Sequence, residues 1–127
     1  MAQKMINQEG TIYVALIKTK NYIIFKGYNT HNEAKAFLDK FICFDDYVEI
    51  NVNGLFITVE YEHLHLVDLD NLTINFDENK SSIIKIGDDY LHQLVLNYDE
   101  YINGDAPVRY CNGDTLDCRM LNLKIVH

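Results

Sequence analysis

Asn53-Gly54 is the feature that most constrains what this chain folds into. It is flanked by Asp46-Tyr-Val-Glu-Ile-Asn-Val52 on one side and Leu55-Phe-Ile-Thr-Val-Glu-Tyr61 on the other. The first segment alternates polar and apolar residues, as a half-buried strand does. A two-residue type I′ turn needs positive φ at both central positions, and Asn-Gly is the dipeptide that tolerates it best. The middle of the chain is therefore predicted to be a tight antiparallel hairpin.

Further strand signals lie on both sides. Thr11–Lys18 is rich in β-branched and aromatic residues, Thr19–Asn21 reads as a turn, and Tyr22–Tyr28 returns. Thr30 and Glu33 then have the spacing of a capping box at a helix start. Ala34, Phe37, Leu38, Phe41 and Ile42 recur at helical spacing and predict one apolar helix face. Leu72–Phe76 and Ser82–Ile86 read as a hairpin around residues 77–80. Asp88–Tyr98 reads as a helix whose two acidic residues favour its N-terminal dipole. Glu62–Asp68 carries no clear period.

The chain has 127 residues, 48% of them hydrophobic, with nine Tyr and six Phe, enough for a packed core. No run approaches the ~18 apolar residues of a membrane helix, and the N-terminus lacks an apolar signal-peptide core. A cytoplasmic protein without membrane contact is expected. Cys43, Cys111 and Cys118 form no C-x-x-C motif. Cys111 and Cys118 are near enough to meet across a loop, but buried thiols are the simpler reading.

The net charge of -8 is unevenly spread. Residues 1–44 hold Lys4, Lys18, Lys20, Lys26, Lys35 and Lys40 against Glu9, Glu33 and Asp39. Residues 45–127 hold five basic residues against sixteen acidic ones. Phosphate binding needs clustered cations, so only the N-terminal third suits DNA. The remainder suits a basic partner surface.

The N-terminal β-β-α unit (residues 1–45) resembles an AP2-type DNA-binding domain over about 30 residues, with the pattern I-x-L-G-x-F-D-T-x-E-E-A-x-x-A-Y. The matching positions are Ile23, Phe25, Tyr28, Asn29, Thr30, Glu33, Ala34, Ala36 and Phe37. Those domains read DNA with Arg and Trp projecting from the sheet. Here the expected sheet residues are Tyr13, Ile17, Tyr22, Ile24 and Lys26, so bidentate Arg readout is missing. In a DNA-binding reading, Lys18, Lys20, Lys26 and Lys35 would contact phosphates.

Val108-Arg-Tyr-Cys-Asn-Gly-Asp-Thr-Leu-Asp-Cys-Arg-Met-Leu-Asn-Leu-Lys-Ile-Val-His127 resembles the catalytic segment of phage and homing-type HNH endonucleases, V-D-H-I-N-G-D-x-L-D-N-R-x-x-N-L-R. Asn112, Gly113, Asp114, Leu116, Asp117, Arg119, Asn122 and Leu123 match its scaffold. Tyr90-Leu-His92-Gln-Leu94-Val95 matches a Tyr-x-His-Arg-Leu-Val helix that precedes that segment, so the likeness covers about residues 60–126. HNH hydrolysis needs a metal ion, a carboxylate to hold it and a His as general base. The family's Asp-His pair falls on Arg109 and Tyr110. Arg109 would repel a metal, and a Tyr with a pKa of about 10 is a poor base at neutral pH.

The expectation is therefore a scaffold without an active site, cofactor or bound metal. His92 is a residual candidate ligand. His63 and His65 would share a strand face with Glu62 or Asp68 nearby, although two His alone are weak evidence of a site. Asp45-Asp46 and Asp88-Asp89 read as turn and helix-start residues. No Walker loop, G-x-S-x-G or Cys–His signature is present.

The HNH resemblance implies a phage or mobile-element origin and the cytoplasm of a bacterial host. An inert scaffold there is expected to act by binding, as an inhibitor of a host defence nuclease or CRISPR effector. The candidate contact residues are Asp68, Asp70, Asp77, Glu78, Asp88, Asp89, Asp99, Glu100 and Asp105. The expected fold is α+β. An N-terminal antiparallel β-β-α unit (residues 1–45) precedes a small α/β unit (residues 46–127) that ends in the HNH-like hairpin.

Overall fold

The computed structural model describes residues 2–76, 78, 82–96 and 108–126. The fold is mixed α+β, built from small antiparallel sheets with two short α-helices among the described residues. Strands β1 (Gln3–Glu9), β2 (Ile12–Lys18) and β3 (Ile23–Tyr28) form the first sheet in that order. The β2–β3 hairpin matches the sequence expectation. Strand β1 does not appear in that expectation, because Met5 and Ile6 are its only apolar residues and no alternation marks it.

Helix α1 (His31–Leu38) packs on one face of this sheet. Thr30 caps it as predicted, its hydroxyl oxygen accepting from the Glu33 amide at 3.2 Å. The reciprocal half differs from a full capping box. Glu33 Oε1 accepts from the Thr30 hydroxyl at 2.9 Å, rather than from the Thr30 amide. Thr30→Ala removes both contacts and is expected to cost about 1 kcal/mol in a denaturant melt.

At the other end of α1, Lys4 Nζ donates to the carbonyls of Leu38 (3.2 Å) and Phe41 (2.8 Å). The missed strand thus satisfies an otherwise orphaned helix-terminal carbonyl.

The helix is shorter than its apolar spacing suggests. Ala34 and Leu38 are buried on it. Phe41 and Ile42 belong instead to strand β4 (Phe41–Cys43), with Phe41 buried and Ile42 exposed. A period of two over so few residues mimics the i, i+3, i+4 pattern, and ladder pairing of Phe41 with Ile50 decides it.

The second sheet is β4, β5 (Tyr47–Val52) and β6 (Leu55–Glu60). The β5–β6 turn is the predicted one, with Asn53 at φ 52° and Gly54 at φ 88°. Residues 44–46, where the charge changes sign, lie in the turn between β4 and β5. Phe44 N–H donates to the Tyr47 carbonyl there at 3.0 Å. A 3-10 turn (Tyr61–Leu66) follows, and the Tyr61 hydroxyl donates to the Phe44 carbonyl at 2.5 Å.

Strands β7 (Leu72–Phe76), β8 (Ser82–Ile86) and β9 (Asp89–Tyr90) form the third sheet. Helix α2 (Leu91–Leu96) begins later than expected. Gly87, at φ 62°, closes a tight turn through Asp88, and Asp89 pairs with Ile86 as a strand residue. The two carboxylates are therefore turn and strand residues, not the first turn of the helix. Residues 97 and 98 of the predicted helix lie outside the described residues.

Strands β10 (Val108–Tyr110) and β11 (Leu123–Ile125) pair as a final hairpin. The buried apolar residues form one cluster, running from Ala15 and Ile17 through Ala34, Val48, Ile50 and Ile57 to Ile84, Leu91, Val95, Cys118 and Leu123.

Candidate functional site

The loop between β10 and β11 is organised around Asp117, only 4% exposed. Its carboxylate accepts from Arg119 Nε (2.9 Å) and Nη2 (2.7 Å), a bidentate arrangement, and from Asn112 Nδ2 at 2.8 Å. Asn122 Nδ2 donates to the Asn112 side-chain oxygen (3.0 Å) and the Asp117 carbonyl (2.9 Å). Asn122 Oδ1 accepts from the Asn112 amide at 2.9 Å. Asp114 receives the Leu116 amide at 3.0 Å, and Gly113 supplies a φ of 77°.

These side-chain hydrogen bonds close the loop on itself. Asn112, Gly113, Asp114, Asp117, Arg119 and Asn122 thus act as framework. Burial pushes the Asp117 carboxyl up, but the bonds from Arg119 and then Asn112 outweigh it and hold its pKa below the ordinary carboxylate value.

The loop docks on the outer side of β6. Thr58 N–H donates to the Leu116 carbonyl (2.9 Å), and Cys118 N–H donates to the Thr58 carbonyl (2.8 Å). Met120 N–H donates to Glu60 Oε1 at 2.7 Å, and the Arg119 guanidinium lies 4.7 Å from the Tyr47 ring centroid.

Arg109 is exposed and sits opposite Lys124 across the β10–β11 ladder. Tyr110 points inward, its hydroxyl 3.3 Å from His92 Nδ1. His92 stacks on Tyr90 at 5.4 Å and meets Tyr110 edge-on at 6.2 Å. Burial raises the Tyr110 phenol pKa and lowers that of the His92 imidazole. Both are neutral near pH 7 and share a neutral contact.

Burial also pushes the Cys118 thiol up to about 12, so it remains a protonated core group and not a nucleophile. Cys111 is exposed. Among the described residues no three His, Cys, Asp or Glu converge as a metal site requires.

His63 and His65 do not share a strand face, because Tyr61–Leu66 turns as a 3-10 helix. His63 Nδ1 lies 3.4 Å from Glu60 Oε1, and His65 is exposed.

The predicted surface carboxylates are in varied settings. Asp88, Asp89 and Glu78 are exposed. Asp68 shapes its own loop, accepting from the Asp70 amide (3.1 Å) and Asn71 Nδ2 (2.7 Å). Asp70 is paired with Lys26 at 2.9 Å. Asp77, Asp99, Glu100 and Asp105 lie outside the described residues.

The basic set is likewise divided. Lys26 is engaged with Asp70 and stands over the Tyr28 and Phe37 rings. Lys35 pairs with Asp39 at 3.6 Å. Lys18 and Lys20 are exposed, with no ion pair among the described residues.

The sheet residues expected to face a ligand need correction. Tyr13, Ile17, Ile24 and Lys26 lie on the face that packs on α1, as the Tyr13–His31 ring contact and the Lys26–Phe37 contact demonstrate. Tyr22 precedes β3. The opposite face carries Met5, Ile12, Val14, Leu16, Lys18, Ile23 and Phe25.

A cavity of about 320 Å³ went unforeseen. Asp45, Asp46, Glu60 and Glu62 line it, with Lys20, Tyr22 and Tyr61. It gathers the β2–β3 turn, the β4–β5 turn and the end of β6, segments with no common sequence signal. The Asp45-Asp46 pair, read as a simple turn, supplies half of its carboxylates.

No protein family, curated protein or solved structure matches this chain.

Proposed function

We propose that this chain acts by binding, as an inhibitor of a host defence nuclease such as a CRISPR effector, made by a phage or mobile element. The observation that carries the reading is the contrast within the C-terminal segment. The HNH-like framework around Asp117 is complete in its hydrogen bonds. Yet an exposed cation, Arg109, and a neutral phenol, Tyr110, occupy the positions where that chemistry needs a carboxylate and a base.

The acidic features support the binding side of the reading. The carboxylate-lined cavity suits the cationic side chains that line nucleic-acid channels, and exposed Glu78, Asp88 and Asp89 extend the negative surface. Asp70 contributes less, because Lys26 already neutralises it.

The test is cleavage of duplex DNA by purified RNA-guided nucleases, titrated with this protein. Dose-dependent protection is expected. Changing Asp45, Asp46 and Glu62 together to Lys is expected to weaken inhibition about 100-fold, in line with losing buried charge pairs at an interface. Unchanged potency in that variant, and in Asp88→Lys with Asp89→Lys, would dismiss the mimicry reading.

A second reading, a duplex-DNA-binding regulator, rests on Lys18 and Lys20 at one end of the first sheet. With Lys26 and Lys35 already paired, two phosphate contacts predict a salt slope of only about -2. Absence of duplex binding in ~50 mM salt would remove this reading.

A further inference from the structure

Two Asn-Gly pairs fall among the described residues, Asn53-Gly54 and Asn112-Gly113, and the fold treats them oppositely. A third, Asn103-Gly104, lies outside them. An Asn followed by Gly is open to attack by its own main chain, because glycine puts no side chain between its nitrogen and the preceding carboxamide. Space does not separate the two sites. All four residues are exposed, and nothing among the described residues lies within 4 Å of a Cβ added at either glycine.

Hydrogen bonds do separate them. The Asn112 carboxamide is held at both ends. Its Nδ2 donates to Asp117 Oδ2 at 2.8 Å, and its Oδ1 accepts from the Asp114 amide at 2.8 Å and from Asn122 Nδ2 at 3.0 Å. The Gly113 amide donates to the Tyr110 carbonyl at 3.0 Å. The Asn53 carboxamide has no hydrogen-bond partner among the described residues. At that turn the attacking nitrogen is restrained by the bond from the Gly54 amide to Oδ1 of exposed Asn51, at 2.9 Å.

From this contrast we infer that Asn53 is a site of spontaneous deamidation, with Asn51 setting its rate and the Asp117 network protecting Asn112. Hydroxide removes the Gly54 amide proton once the bond to Asn51 opens, as in hydrogen exchange. The nitrogen then attacks Asn53 Cγ. A C–N bond forms, and Nδ2 takes a proton from water and leaves as ammonia. Water opens the resulting cyclic imide at either carbonyl. Opening at the former side-chain carbonyl leaves aspartate, and opening at the main-chain carbonyl leaves isoaspartate. The net change is one water consumed, one ammonia released and one negative charge gained.

The consequence lies in the second sheet. Isoaspartate lengthens the main chain by a methylene, inside a two-residue turn closed by Val52 and Leu55. That turn sets the register in which buried Ile50 meets Ile57 and buried Val48 meets Val59. The inference does not depend on the inhibitor reading, because none of the proposed contact residues takes part in this turn.

The experiment incubates the full chain in mildly alkaline buffer, folded and in concentrated urea. The Asn53 and Asn112 peptides are followed by mass spectrometry, with aspartyl and isoaspartyl forms separated by chromatography. Both should convert at similar rates in urea. In the folded chain Asn53 should convert at least about 10-fold faster than Asn112, whose carboxamide must first lose three hydrogen bonds. Asn51→Ala, at an exposed position, should keep the circular dichroism spectrum and speed Asn53 conversion about 2–12-fold, the factor carried by one hydrogen bond. Folded Asn53 converting no faster than Asn112, or an unchanged rate in Asn51→Ala, would overturn the proposal.

Discussion

Replacing Asp117 with Ala is expected to destabilise the chain by about 3–5 kcal/mol, the range for removing one partner of a buried charge pair. Both carboxylate oxygens are used. Arg119 grips them in a two-pronged contact and Asn112 adds a third donor. Without the carboxylate, the guanidinium loses its counter-charge and the Asn112 amide loses an acceptor. The loop geometry that holds Cys118 N–H against the Thr58 carbonyl loosens with them.

Asp117→Asn keeps the volume and an acceptor oxygen, and should lose about 1–3 kcal/mol. Asp88→Ala, at an exposed turn, should stay within about 0.5 kcal/mol of wild type. Urea melts of the three variants give the comparison. An Asp117→Ala loss no larger than that of Asp88→Ala would mean the loop is not held by this network.

The pH dependence follows from the same bonds. The folded pKa of Asp117 lies below its unfolded value, since the Arg119 and Asn112 bonds outweigh burial. Its contribution is complete above the unfolded value, about 3.9, and is lost as pH falls through the folded one. Acid titration of Asp117→Asn should therefore be flatter than that of wild type below about pH 4.

The local elements were readable because each is specified by neighbours in sequence. Asn53-Gly54 fixes its own turn, and Thr30 with Glu33 marks the helix start within four residues. Strand β1 was not readable, because a polar edge strand carries no period and is held by pairing with β2. In the sequence Phe41 reads as a helix residue, because two residues of alternation look like one helical step. Its ladder partner Ile50 settles the matter from nine residues away.

The inward and outward faces of the first sheet were exchanged for a related reason. Both faces of β2 are apolar, so sequence alone does not say which parity meets α1. The acidic cavity was hidden more deeply, since Lys20, Asp45 and Glu60 meet only through tertiary packing. No period or turn signal in the sequence marks the framework residues of the C-terminal loop, because their bonds run between positions five to ten residues apart. Their bond partners explain why Asn, Asp and Arg stand at those spacings.

Ile50→Ala tests how far the two charge regimes share one fold. Ile50 is fully buried on the central strand of the second sheet, between Phe41 and Ile57. Truncation there leaves a cavity that close-packed neighbours on both sides refill only in part, at a cost of about 2–5 kcal/mol. For a chain of this size that lowers the melting temperature by roughly 8–19 °C.

The buried cluster joins Ala15, Ile17 and Ala34 of the basic third to Ile50, Leu91 and Leu123 of the acidic remainder. The sheet that holds Ile50 also takes β4 from before residue 45 and β5 from after it. The loss should therefore appear as one cooperative transition shifted as a whole. The chain has no Trp, so calorimetry and far-ultraviolet circular dichroism are the probes. A variant in which residues 1–45 melt at the wild-type temperature while the rest melts early would show that the two regions fold separately.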